Sequence, residues 1–205
     1  MTIHNRAAAT DLHNLVAEIR ACTICAAKLA DGVRPVLRIS PMARICVAGQ
    51  APGRRVHSSG TPYDDRSGDR LREWLGISRD EFYDETRFAI VPMGFCFPGN
   101  TKSGADNPPR PECVRHWHDR LFAAGPKFEL VLAIGSYAQH YHLNGRARKT
   151  VTETVQAWRD YGPFAIPLPH PSWHNNNWLK NNPWFHCELV PFLRDRVAQI
   201  LSRKS

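Results

Sequence analysis

Residues 45–53, Ile45-Cys46-Val47-Ala48-Gly49-Gln50-Ala51-Pro52-Gly53, decide how this chain is read. Four apolar residues in a row fit a strand buried on both faces, and the Gly-Gln-Ala-Pro-Gly that follows stops it abruptly in a loop. Glycine on either side of such a loop lets the backbone approach a ligand closely. A second apolar segment, Phe164–Leu168, ends in Pro169-His170-Pro171-Ser172. Two strand ends, one offering Gln50 and the other His170, place a site at one edge of an α/β sheet.

Outward from these segments, helical and strand patterns alternate. Leu12, Leu15, Val16 and Ile19 predict a helix over Asp11–Cys22, capped by Thr10 or Asp11, while Met1–Ala9 are expected to be flexible. An Arg- and Pro-containing linker, Leu29–Met42, leads to a strand over Arg44–Ala48. A helix over Ser67–Leu75 buries Leu71, Trp74 and Leu75 and stops at Gly76. Phe88–Met93 and Leu130–Ile134 read as strands; Pro111–Ala124, Tyr137–Leu143 and Arg194–Arg203 read as helices. Residues 97–111 form a long exposed loop, which is more often functional than idle. Gly145–Lys149 is a basic connector. The expected fold is a three-layer α/β/α sandwich around a mainly parallel four-stranded sheet, one domain over residues 1–205.

The 205-residue chain carries 27 Lys and Arg against 19 Asp and Glu, a formal net charge of +8. That balance favours a polyanionic partner, DNA or RNA in the simplest case, although many basic proteins bind neither. The apolar runs are too short to span a bilayer and no signal-like segment opens the chain. A cytoplasmic location is expected, nucleoid-associated in a bacterium, with no membrane partner and a monomer favoured over an oligomer. Six cysteines in such a chain argue for metal, catalysis or burial rather than disulfides. Cys46 and Cys187 keep apolar or aromatic company and are expected to be buried thiols. Cys22-Thr23-Ile24-Cys25 alone fits zinc or redox chemistry equally well.

Gly49-Gln50-Ala51-Pro52-Gly53 and His170-Pro171-Ser172 resemble motifs A and B of the uracil-DNA glycosylase superfamily, most closely its family-4-like branch. Gly60-Thr61-Pro62-Tyr63 resembles the element that follows motif A there. The resemblance implies a glycosylase-like fold and a monofunctional DNA glycosylase of base excision repair, hydrolysing the N-glycosidic bond of uracil or another deaminated base after flipping the nucleotide. It makes Tyr63 the residue that stacks on the flipped base. It makes His170 the donor that stabilises the departing base anion. Gly49, Ala51, Pro52, Gly53 and Ser172 complete the base pocket by the same resemblance. Residues 173–180 read as a long aromatic and amide-rich loop, equivalent to the one that wedges the duplex open in that family. Trp173, Trp178 and Leu179 are the candidate wedges, and Asn175, Asn176 and Lys180 the candidate phosphate contacts. Cys22, Cys25, Cys96 and Cys113 match the spacing of a structural 4Fe-4S cluster in family-4 enzymes, with zinc as the alternative.

The chain also departs from that pattern. Family-4 members carry Glu where Gln50 stands, and family-1 members carry Asp where Ala51 stands. Gln50 orients a water but cannot take its proton. The amide that reads the base edge in the family has no counterpart in Val91-Pro92-Met93-Gly94. Asp64, Asp65 and His57 are the nearest replacements for the missing base, and each is equally well a solvated loop residue. Two readings follow: a glycosylase with a relocated water activator, or a binder of damaged or single-stranded DNA that excises nothing. A small zinc or redox protein would explain the cysteines but neither loop motif.

Overall fold

The four strands are β1 (Ile45–Ala48), β2 (Phe88–Ile90), β3 (Leu130–Ile134) and β4 (Ala165–Leu168). They form one sheet in the order β2-β1-β3-β4, and every neighbouring pair is parallel. All four strands therefore end on the same edge. β1 leads to β2 on one side of itself, whereas β3 and β4 extend the sheet on the other. The crevice where the direction of winding changes lies beyond the β1 and β3 ends, the usual place for a ligand in an open parallel sheet. The computed structural model describes residues 3–203, with side chains from Thr10 onward; Met1 and Thr2, part of the segment expected to be flexible, lie outside them.

Side chains alternate between the two faces of the sheet, and the faces differ in size. Ile45, Val47, Phe88, Ile90, Leu132, Ile166 and Leu168 point into one core, packed by Leu71, Trp74 and Leu75 of helix Arg66–Leu75 and by Leu193, Val197 and Ile200 of helix Val190–Ser202. Cys46, Ala48, Ala89 and Ala133 point into the other, packed by Leu12, Leu15 and Ile19 of helix Ile3–Arg20 and by Leu121 of helix Asp119–Ala124. Small residues on this second face let its helices sit close to the sheet. The three expected layers are all present.

Several boundaries differ from the sequence reading for identifiable reasons. The first helix begins at Ile3 and runs through the segment expected to be flexible. The last begins at Val190, because Pro191 falls in its first turn, where no backbone N–H is required. The Leu29–Met42 linker is not loose. Arg38 exchanges two backbone hydrogen bonds with Ile90, and the Val36 N–H donates to the Phe95 carbonyl, so this segment covers the β2 edge. Cys187, expected to be buried, is exposed on the helical turn Phe185–Leu189, whose Phe185 and Leu189 supply the buried side instead.

Two buried histidines sit under the second face. His118 is stacked on Phe95 with ring centroids 5.2 Å apart, and neither ring nitrogen has a hydrogen-bond partner among the described residues. Burial pulls it down to about 4, only partly opposed by the nearby Pro92 and Met93 carbonyls, and His142 is likewise lowered to about 4. Both bind protons more readily unfolded, near 6.5, than folded. Stability is therefore full above pH 6.5 and declines as the pH falls towards 4, by on the order of 3 kcal/mol for each histidine. Urea midpoints measured across that range should show the decline, and His118→Phe should make it shallower.

Candidate active site

The loop after β1 is held by the sheet itself. The Met93 and Gly94 N–H groups donate to the Gly49 and Gln50 carbonyls at 2.8 and 2.9 Å, extending the ladder past the strand end. Helix Arg54–Ser59 then begins immediately after Gly53 and ends at Gly60 in the left-handed conformation, delivering Thr61-Pro62-Tyr63 back to the sheet edge. Tyr63 itself has φ +56°, unusual for a residue with a bulky side chain. Its surroundings impose this. The Tyr63 carbonyl accepts from Arg72 Nη1, the Pro62 carbonyl accepts from the Tyr83 hydroxyl at 2.8 Å, and a Cβ at Gly68 would collide with the Tyr63 carbonyl.

The Tyr63 ring packs edge-on to Phe82 and lines an open cleft of about 390 Å³. Its hydroxyl reaches the floor, where a Cβ on Gly49 would stand 2.6 Å away. Burial, with Asp65 nearby, raises the phenol so that it stays neutral. Gly49→Ala should displace the ring and weaken binding of a stacked base by about tenfold or more while the protein remains folded. Titration with an oligonucleotide, alongside thermal unfolding, checks this.

His170 lines the same cleft as Tyr63. Three side chains pin its loop through backbone carbonyls. Gln139 Nε2 donates to Leu168, Asn175 Nδ2 to His170, and Arg70 Nη1 to Ser172, at 3.0, 2.7 and 2.9 Å. Desolvation lowers His170 from its ordinary value, opposed by Asp65 and Asp106 and aided by His174. The imidazole is therefore neutral at physiological pH and carries one N–H to donate. Arg70 and Gln139 were not legible in the sequence as site residues, since each works by holding a backbone carbonyl far along the chain. Asn175, expected on a phosphate, is engaged with the His170 carbonyl.

The carboxylates are distributed differently from the sequence expectation. Asp64 does not line the cleft; it pairs with Arg79 at 2.8 Å, which holds its carboxyl below the usual range. His57 also lies off the cleft, with Nε2 against the Asp31 carbonyl. Asp65 lines it, but its Oδ1 accepts the Gly68 N–H at 2.9 Å as the cap of helix Arg66–Leu75. The other cleft carboxylate among the described residues is Asp106, from the long loop.

That loop is a small structured lobe. The Thr101 N–H donates to Ala105 and the Asn107 N–H to Gly99, while Asn100 Nδ2 donates to Asp106 Oδ1 at 2.9 Å. Oδ2 of Asp106 is left facing the motif A loop, 3.8 Å from where a Cβ on Gly53 would be. Gln50 Nε2 ties the lobe down by donating to the Asn107 carbonyl at 3.3 Å. A glutamate at position 50 could not make that bond. The amide that replaces the family's carboxylate thus anchors a loop that returns a carboxylate to the cleft. The only signal in the sequence was that Asp106 is the sole acidic residue between Phe97 and Pro111.

Residues 173–180 are not a loop. Trp173–Asn175 form one tight helical turn, and Asn176–Asn181 a short helix. Trp178 packs on the main core and donates Nε1 to Thr152 Oγ1 at 2.7 Å; Leu179 packs beside it. Neither is placed as a wedge. Trp173 is 66% exposed, stacks on His174 and lines the cleft mouth. Asn176 and Lys180 are exposed, and Arg55 and Arg66 bring positive charge to the rim.

A family model of the uracil DNA glycosylase superfamily matches residues 38–194, which carry the whole sheet and both loops. The chain belongs to the uracil DNA glycosylase superfamily. A similar solved structure is the solution NMR structure of a protein from Methanosarcina acetivorans described as a "putative Uracil DNA glycosylase". It is 13% identical, with 79% of this chain and 98% of that one covered, at a TM-score of 0.44.

Away from the cleft, this superfamily member brings Cys22, Cys25, Cys96 and Cys113 around one small cavity, closed by Val33, Phe95 and Trp117. Burial raises Cys96 to about 11 and Cys113 to about 12. A polar donor nonetheless reaches one sulfur, with the Phe95 N–H donating to Cys113 Sγ at 3.4 Å, and the Arg110 charge lies near Cys25. Among the described residues no group of three or more His, Cys, Asp or Glu converges tightly enough for a single metal ion. No described helix is long and apolar enough to cross a membrane.

Proposed function

We propose that the protein is a monofunctional DNA glycosylase of base excision repair that releases uracil or another deaminated base. The observation that carries this is one cleft lined by a neutral, pinned His170, the Tyr63 ring and a carboxylate at Asp106. A flipped base stacks on Tyr63, which offsets the stacking it leaves. As the N-glycosidic bond breaks, its electron pair goes to the base, and the His170 N–H stabilises the negative charge on the base oxygen. Asp106 orients a water and accepts its proton as the water oxygen bonds to the sugar carbon. The products are the free base and an abasic site. Pro92 occupies the wall where the family's base-reading amide would stand, so recognition of the base edge falls to Gln50 and backbone groups of motif A. Trp173 is the candidate wedge, and Arg55, Arg66 and Lys180 are candidate phosphate contacts. The test is single-turnover release from oligonucleotides carrying uracil, hypoxanthine, xanthine or an oxidised pyrimidine. Release of one of them supports the reading; tight binding with no release from any favours the non-catalytic binder.

We further propose that the four cysteines, gathered around one cavity, hold a structural 4Fe-4S cluster, as the resemblance to the family-4 branch implies. Thiolates around a cluster are spaced more widely than around one zinc, and they are stabilised by N–H donors such as the one at Cys113. Such a cluster would tie the end of helix Ile3–Arg20 to the root of the Asp106 lobe. Anaerobically purified protein should be brown and lose its colour on Cys96→Ser, with a lower unfolding temperature. Stoichiometric zinc without iron would contradict the cluster.

A further inference from the structure

A second concavity of about 570 Å³ opens beside the cleft, between the start of helix Pro111–Cys113 and helix Gly135–His142. Its walls are mostly apolar: Pro109, Val114 and the rings of Tyr137 and Tyr141. Tyr137 is 42% exposed, a large aromatic left open to solvent. Arg115 adds a positive charge and His140 a polar ring, and neither makes an ion pair or side-chain hydrogen bond among the described residues. No Asp or Glu lines the groove among those residues.

The groove and the cleft are neighbours along one stretch of backbone. Pro92 lines the cleft and the next residue, Met93, lines the groove, with both at the edge where the strands end. Both therefore open near the strand-end edge of the sheet, where one extended strand can meet each of them. We propose that this groove binds unpaired nucleotides flanking the target, a base stacking on Tyr137 and a phosphate meeting Arg115. The inference rests on the reading that the cleft takes a nucleotide, and it makes single-stranded or locally melted DNA the preferred substrate. An open aromatic face bordered by an unpaired arginine suits that ligand, because every base offers a π-face and every linkage a negative charge. A paired duplex keeps its bases stacked on each other and offers Tyr137 none.

The test is anisotropy with uracil-free single strands, which needs no excision. One just spans the cleft; another is several nucleotides longer. The wild type should bind the longer strand about tenfold or more tightly, and Tyr137→Ala and Arg115→Gln should each remove most of that advantage. Tyr137→Phe should restore it, since the ring and not the hydroxyl does the stacking. 2-Aminopurine placed beside the target should be quenched in the wild type and not in Tyr137→Ala. If both variants keep the full length advantage, the groove does not hold DNA, whatever the excision assay shows. If Tyr137→Ala instead dissociates a dimer seen by sedimentation, the groove is a self-association surface and the proposal fails.

Discussion

Replacing His170 by alanine lowers single-turnover base release by about 10²–10³-fold, while oligonucleotide affinity and unfolding temperature stay near the wild type. The size follows from what the side chain does. It is a single donor held at fixed orientation in a desolvated wall, so it acts on the charge that develops on the leaving base. The protein survives the change because the loop is fixed through the carbonyls of residues 168, 170 and 172, which alanine retains. Asn175→Ala acts through the same loop with a smaller loss. A rate equal to the wild type in His170→Ala would remove this residue from the chemistry.

Asp106→Asn is the second large effect, a loss of about 10²-fold or more in the same assay with binding unchanged. Asparagine keeps the shape and can still contact Asn100, but it accepts no proton. Asp65→Asn should cost far less, because asparagine caps a helix about as well as aspartate and Gly68 keeps its acceptor. Gln50→Glu should also slow release: its carboxylate cannot donate to the Asn107 carbonyl, so the lobe carrying Asp106 loses an anchor. If Asp65→Asn proves the more damaging of the two aspartate changes, the water activator has been misassigned.

Much of the architecture is written locally. Strands such as Leu130–Ile134 are short apolar runs with punctuation at both ends, and Arg66–Leu75 carries its own cap at Asp65 and its own stop at Gly76. The two ligand-facing loops were legible for the same reason, since proline and glycine mark them. The failures around the cleft are long-range. Asn176–Asn181 is rich in amides with low helical preference, and it becomes helical where Trp178 is buried and bonded to Thr152. Trp178 and Leu179 look like wedges until the core claims them. Asp106 gains its place only when Gln50 and Asn100 fold its loop over motif A, a contact that spacing does not reveal. Asp64 and Asp65 are adjacent in sequence, yet one turns to Arg79 and the other to the cleft.

The measurement that tests the central claim most directly follows free base and abasic sites together, with protein in excess over a uracil-containing single strand. The account predicts that both appear in equal amounts, that His170→Ala and Asp106→Asn each slow them at least a hundredfold, and that all three proteins bind the strand alike. Tight binding by the wild type with neither product formed would contradict it and make this cleft a recognition site without chemistry.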